Sequence, residues 1–374
     1  MGTGALTLRT ARHTANRMSA ADPAVEAGHI AYERRGALGR VRLTRPDALN
    51  AVTHEMVRSL TRRLAGWAAD DAVAAVAITG EGKAFSAGGD IRALYERMRA
   101  GDPPDDFFAD EYALNVAIKR FPKPYVALVD GLAMGGGVGV SYHGSHVVVG
   151  EGALFAMPEC GIGFFPDVGA THLLPRLSGR AGAYLGLTGA RLGPRGQVAV
   201  GLARCHVPAA RHDAILDALA AGEPVDDVLN GEAAEAPGET NLPSAVTLLG
   251  SGSIDADMDR IDEATEDPDT AEGARALAVA LGGKCPVSLA VAARQIAMGA
   301  DRGFEACMGI EARIVHRMLR RPDFAEGIRA AVIDKDREPR WSLAALGEVD
   351  EATVVAHFAP VEDGPLAALS ELAA

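Results

Sequence analysis

Residues 125–139 read YVALVDGLAMGGGVG. Tyr125 to Val129 is a short apolar run that predicts a buried strand. Met134 to Gly137 then predicts a tight turn between that strand and a helix. At such a turn Gly136 can present its peptide N–H with no side chain in the way. A second glycine turn lies upstream, in the stretch KAFSAGGD at 83–90. It follows a β-rich run over 72–79 and opens a helix predicted over 90–98. Gly88 and Gly89 therefore leave N–H groups free at a helix N-terminus, and Asp90 suits the N-cap or first turn. Two such amides aimed at one point make an oxyanion hole. Either turn alone is better explained by tight turning and close packing. A dinucleotide reading fails, because no Gly-x-Gly-x-x-Gly follows the first strand.

Downstream, residues 155–175 read FAMPECGIGFFPDVGATHLLP. Glu159 and Asp167 lie eight residues apart in a run that is otherwise rich in Phe, Ile, Leu and Met. A solvated loop would not surround its acids in this way. Carboxylates in an apolar wall hold their protons more tightly and can serve as base, acid or nucleophile. Cys160, beside Glu159, reads as a small apolar filler. His143, His146 and His172 read as packed or hydrogen-bonded imidazoles.

The remaining pattern frames these segments. Residues 29–35 and 38–44 alternate as paired strands around Gly36. Thr53 is placed to cap a helix running to Ala69, with Met56 on its buried side. A helix is expected over 110–119, and short strands over 147–149 and 154–155. Strand, strand, helix thus recurs before residue 180, which predicts a buried β layer covered by helices. Helices dominate from Tyr184, with strong periodicity over 288–298 and 303–320. Residues 222–272 are rich in Asp, Glu, Gly and Pro and predict short helices in an exposed acidic region. The expected organisation is a loose leader over 1–27, a core carrying the site over 28–215, and a mainly helical region over 216–374.

The chain has 374 residues, 48% of them hydrophobic, and a net charge of -13. That is ample for a large core, and its acidity argues against a nucleic-acid or anionic-membrane binder. No apolar run is long enough to span a bilayer. The four cysteines form no Cys-x-x-Cys pair and no zinc-ligand spacing, so no metal is expected and a cytoplasmic location is. The leader holds Arg9, Arg12 and Arg17 without an apolar segment before a cleavage site. It does not read as a secretory signal, although arginine with little acid also suits a transit peptide.

Three segments, LTRPDALNAV at 43–52, AFSAGGDIR at 84–92 and MGGGVG at 134–139, together resemble the crotonase (enoyl-CoA hydratase/isomerase) superfamily. The resemblance implies an α/β fold, a spiral of ββα units with a helical C-terminal region, and a coenzyme A thioester as substrate. It implies that the N–H groups of Gly89 and Gly136 hold the thioester carbonyl oxygen. Hydratases of the superfamily use two glutamates. One matches Glu159; the other would stand at Gly139, so this chain lacks it and carries Asp167 instead. Further motifs resemble the 3-hydroxyisobutyryl-CoA hydrolase branch: DEYALN at 110–115, the stretch 154–177, KCPVSLAVAARQ at 284–295 and DFAEGIRAAVIDKDREPRW at 323–341. This likeness, over roughly residues 28–358, implies hydrolysis of a short 3-hydroxyacyl-CoA in valine breakdown. It makes Glu159 and Asp167 the catalytic carboxylates and Glu111 a substrate contact. Coenzyme A arrives as part of the substrate and no separate cofactor is implied. Lys335 and Arg337 are candidates for a coenzyme A phosphate, with ion pairing to Asp334 and Asp336 as the alternative. A hydratase or isomerase working with Glu159 alone, and a non-catalytic acyl-CoA-binding protein, remain open, as does a homo-oligomer.

Overall fold

The computed structural model describes residues 28–240 and 242–373. The leader over 1–27 lies outside them. The chain begins as the hairpin of β1 (Ile30–Arg35) and β2 (Leu38–Leu43), paired antiparallel. Helix α1 (His54–Ala69) follows, and the Thr53 hydroxyl accepts from the Met56 N–H at 3.2 Å. Its apolar residues Met56, Leu60, Leu64 and Trp67 fall on one stripe and are buried.

From there the chain winds by a repeated step. β3 (Ala75–Gly80) is followed by the three-residue β4 (Ala84–Ser86), then α2 (Ile91–Arg99) and α3 (Asp105–Lys119). β5 (Tyr125–Val129) is followed by β6 (Leu132–Met134) and the single turn α4 (Gly136–Gly139). β7 (His146–Val149) is followed by β8 (Leu154–Ala156) and a 3₁₀ turn over Glu159–Ile162. The longer strands join β9 (Cys205–His206) in a six-stranded sheet of order β1-β2-β3-β5-β7-β9, parallel beyond the first hairpin. The short strands make a parallel sheet of their own, β4-β6-β8. Each step therefore ends at the same edge of the molecule, which is where the two glycine turns and the carboxylate stretch meet.

Alternation along the strands divides the core. Ala75, Ala77, Val126, Leu128 and Val148 pack with the helices His212–Ala220 and Val225–Glu232 on one face. Val76, Ile78, Ala127, Val129 and Val149 join the main core on the other. Both faces are covered, which is why these strands read as apolar runs.

The structure departs from the sequence expectations at several places. β4, β6 and β9 were not expected as strands, since two or three residues carry no measurable alternation. Helix α3 starts five residues before the expected Asp110. Pro104 precedes it, and Asp105 and Asp106 occupy its first turn, where acids favour the helix dipole. The acidic segment holds a 13-residue helix, Ile254–Glu266, longer than expected. Its Asp257 is fully buried and accepts from the N–H groups of Gly250 at 2.9 Å and Ser251 at 3.0 Å, so this acid holds a loop rather than facing water.

Three C-terminal helices matter for the site: α5 (Pro286–Gly299), α6 (Phe304–Met318) and α7 (Pro322–Ile328). One continuous apolar cluster runs from Ile30 to Leu366 and includes residues of all three. Among the described residues no single helix is long and apolar enough to cross a membrane.

Candidate active site

The first glycine turn is fixed from below by the segment 43–52. The buried Asn50 accepts from the Arg45 N–H at 2.8 Å and donates to the carbonyls of Glu81 and Ala84, both at 2.8 Å. Arg45 also pairs with Asp90 at 2.7 Å, and Asp90 caps α2 through the Ala93 N–H. The Val52 N–H donates to the Gly88 carbonyl at 2.7 Å and the Asp90 N–H to the Val52 carbonyl at 3.0 Å. This bridge leaves the Gly89 amide between its two bonds, with no main-chain acceptor among the described residues. Arg45 and Asn50 thus set the turn.

The second turn presses against the first. Gly88 has φ +105°, and a Cβ there would lie 3.2 Å from the Met134 carbonyl oxygen. A Cβ on Gly136 would lie 3.1 Å from the Gly89 nitrogen and 2.7 Å from Glu111 Oε1. A Cβ on Gly137 would lie 2.5 Å from the Ser86 carbonyl oxygen. Only glycine fits at 136 without covering the neighbouring amide. The Gly136 N–H opens α4 and so has no helical acceptor.

Gly89, Gly136, Glu111, Glu159 and Asp167 all line one cavity of about 230 Å³. Its remaining wall is largely apolar, including Ile91, Leu94, Phe108, Phe164 and Phe324. Glu159 follows Pro158 at the start of the 3₁₀ turn, is 6% exposed, and has no hydrogen-bond partner at Oε2. Burial pushes its carboxyl up to about 8. Asp167 is 4% exposed and accepts from the Tyr112 hydroxyl at 2.9 Å. Its proton affinity is well above that of a free aspartate, first through burial and then through the charges of Glu111, Glu159 and Glu311. Glu111 is buried, with Oε1 unpartnered beside Gly136, and burial with the Glu311 charge raises it to about 8. Three acids around one apolar cavity cannot all ionise at low cost.

Several neighbours escaped the sequence reading. Tyr112 and Asn115 lie in the 110–115 motif, but nothing in one sequence marks them apart from core residues. Asn115 is fully buried with both amide atoms unpartnered. Glu311 sits on α6 with Cys307, Ile314 and Val315 on its own buried stripe, and an acid at that spacing was a readable signal. The remaining candidates stand apart from the cavity or play packing roles. Cys160 is buried, and its thiol is pushed far up by desolvation. His143 Nε2 meets the Val168 carbonyl at 2.5 Å and burial lowers the imidazole to about 4. Lys335 and Arg337 are exposed residues in left-handed conformation, and Asp334 and Asp336 pair instead with Arg329.

Position 139, where the superfamily's hydratases carry a second glutamate, is filled from its surroundings. A Cβ on Gly139 would lie 2.7 Å from Asn115 Nδ2 and 3.0 Å from Val168 Cβ.

Known proteins agree with this architecture. The model of the enoyl-CoA hydratase/isomerase family matches residues 38–358. The chain is 36% identical to the mitochondrial 3-hydroxyisobutyryl-CoA hydrolase of Gallus gallus, covering 96% of this chain and 93% of that one. It is 37% identical to the Homo sapiens protein of the same name, covering 94% and 91%. Among solved structures, a carnitinyl-CoA dehydratase from Mycobacterium thermoresistibile superposes with TM-score 0.81 at 37% identity, over 89% of this chain and 97% of that one. An enoyl-CoA hydratase from Rhodobacter sphaeroides does so with TM-score 0.79 at 39% identity, over 91% and 99%. The chain belongs to the enoyl-CoA hydratase/isomerase family.

Proposed function

We propose that the chain hydrolyses a short 3-hydroxyacyl-CoA thioester, 3-hydroxyisobutyryl-CoA to 3-hydroxyisobutyrate and coenzyme A, as a step of valine breakdown. The observation that carries this is the meeting of Glu159, Asp167 and the Gly89 and Gly136 turns on one small, mostly apolar cavity. The curated relatives with matching coverage support the choice of substrate by their names.

In this reading the thioester carbonyl oxygen accepts from the Gly89 and Gly136 amides, which stabilise the negative charge it gains on attack. Each such donor is worth on the order of 10²–10³ in rate. Glu159, ionised, faces the carbonyl carbon. By one route it attacks, the C–S bond breaks with release of the coenzyme A thiolate, and water then hydrolyses the mixed anhydride. By the other it takes a proton from a water that attacks directly. Both routes consume one water and yield the acid and the free thiol. Asp167, held by Tyr112, binds the 3-hydroxyl or passes protons, and Glu111 contacts the acyl group beside Gly136. No cofactor beyond the substrate's coenzyme A enters this mechanism. The four free cysteines support a cytoplasmic site of action, which cell fractionation would check, since the names of the curated relatives include the word mitochondrial.

The solved neighbours named as a hydratase and a dehydratase raise the competing reading. The glycine at 139 favours the hydrolase, because the second glutamate of the hydratases is missing there and a side chain at that position would press on Asn115 and Val168. Thiol release and enoyl absorbance, followed together on 3-hydroxyisobutyryl-CoA and on its dehydrated enoyl-CoA, separate the two. A hydrolase releases thiol from the hydroxy thioester and leaves the enoyl absorbance unchanged. Loss of enoyl absorbance without thiol would overturn the proposal.

A further inference from the structure

The loop that carries Asp167 is held from a distance of more than a hundred residues. Glu311, fully buried on α6, accepts from the Gly169 N–H at 2.8 Å through Oε2 and from the Thr171 N–H at 2.9 Å through Oε1. Gln295, fully buried on α5, donates from Nε2 to the Pro166 carbonyl and, at 2.8 Å, to the Thr171 hydroxyl. His143 meets the Val168 carbonyl from a third side. Val168 sits at φ +51° and Gly169 at φ +91°, so the segment is bent in a way an unsupported chain would not keep. The peptide units before and after Asp167 are therefore bound, while its own side chain is left to Tyr112 and the cavity.

We propose that Glu311 is a positioning residue, which with Gln295 aims Asp167 into the cavity and sets the charge around it. This rests on the hydrolase reading above. A glutamine at 311 keeps the shape but offers one acceptor for two N–H donors, and it removes the negative charge. The charged and titratable groups facing this cluster are Asp167, Glu111 and Tyr112 on one side, Glu159 across the cavity, Cys307 on the same helix and the imidazole of His143. Of these, Glu111, Tyr112, Asp167 and Cys307 are each held protonated more firmly by Glu311 once it ionises, which burial delays to about 7, so removing that charge lets Asp167 ionise at lower pH.

The test compares Glu311→Gln and Gln295→Met in the full chain by steady-state thiol release and by amide hydrogen exchange. For Glu311→Gln, kcat falls by about 10-fold or more with KM within about threefold, and the alkaline limb of kcat, where Asp167 loses the proton it passes, moves to lower pH. For Gln295→Met, kcat falls but the limb stays in place, because the charge is retained. In both variants exchange accelerates in the peptide spanning residues 166–171, by about 10-fold or more. A loss of soluble Glu311→Gln leaves Gln295→Met to decide by its rate and exchange. Wild-type kcat, pH profile and exchange in the variants would overturn the role of Glu311. Accelerated exchange in the variants, with no thiol released even by the wild-type protein, would uphold the clamp and overturn the hydrolase reading instead.

Discussion

Glu159 and Asp167 face one cavity because of what lies between them: a 3₁₀ turn, then Phe164, Phe165 and Pro166 anchoring the return. Removing either charge tests the chemistry with little change in shape. Glu159→Gln and Asp167→Asn are each expected to lower thiol release by about 10²–10⁴-fold, measured with the free-thiol assay. Burial of Glu159 also has a consequence for stability. Its pKa rises from 4.5, the ordinary value for a glutamate, to about 8 on folding. The protonated side chain thus contributes fully at pH below the lower value, and that contribution is lost as pH rises towards the higher one. Glu159→Gln has no such loss. Its stability should gain on wild type as pH is raised from about 5 to about 8, by on the order of 1–4 kcal/mol, read by thermal denaturation. A constant gap would contradict the burial of an ionisable Glu159. The same raised affinity predicts that kcat climbs with pH towards about 8, the value at which Glu159 ionises. These two acids were legible in the sequence because hydrophobic neighbours flank both. Tyr112 was not, since its bond to Asp167 joins residues 55 positions apart.

At the level of elements, the geometry depends on two glycine turns held to a common edge by two sheets that advance together. Asn50 ties the 43–52 segment to the end of β3 and the start of β4, below the first turn, by three hydrogen bonds to main-chain groups of Arg45, Glu81 and Ala84. Asn50→Ala leaves those buried groups unsatisfied and should cost roughly 2–4 kcal/mol, measured by urea denaturation. Activity should fall further than stability alone explains, because the turn carrying Gly89 is released. The glycine turns, the cap at Thr53 and strand β5 were readable from turn chemistry, capping residues and apolar runs. The short strands β4 and β6 were not. They exist because the main strands bring three-residue segments side by side, a tertiary cause that no local pattern encodes. The start of α3 was missed, although the prolines and acids before Asp110 suit the helix end they occupy.

In the whole molecule, the C-terminal helices belong to the same apolar core as the β layers, from Ile30 to Leu366. Urea unfolding followed by tryptophan fluorescence and by far-ultraviolet circular dichroism should therefore give one coincident transition. Two separated transitions would show that the region over 216–374 is an independent unit. The helices were legible from their periodicity. Their part in holding the Asp167 loop was not, because the Glu311–Gly169 bond closes a separation of 142 residues and nothing near position 169 announces its partner.

The central claim is that two amides and two acids converge on one carbonyl group. A crystal structure of Glu159→Gln soaked with 3-hydroxyisobutyryl-CoA tests it most directly. The thioester is expected to be intact, with its carbonyl oxygen about 2.7–3.1 Å from both the Gly89 and Gly136 nitrogens and residues 159 and 167 facing the acyl carbons. A thioester bound with its carbonyl away from those amides, or outside this cavity, would contradict it.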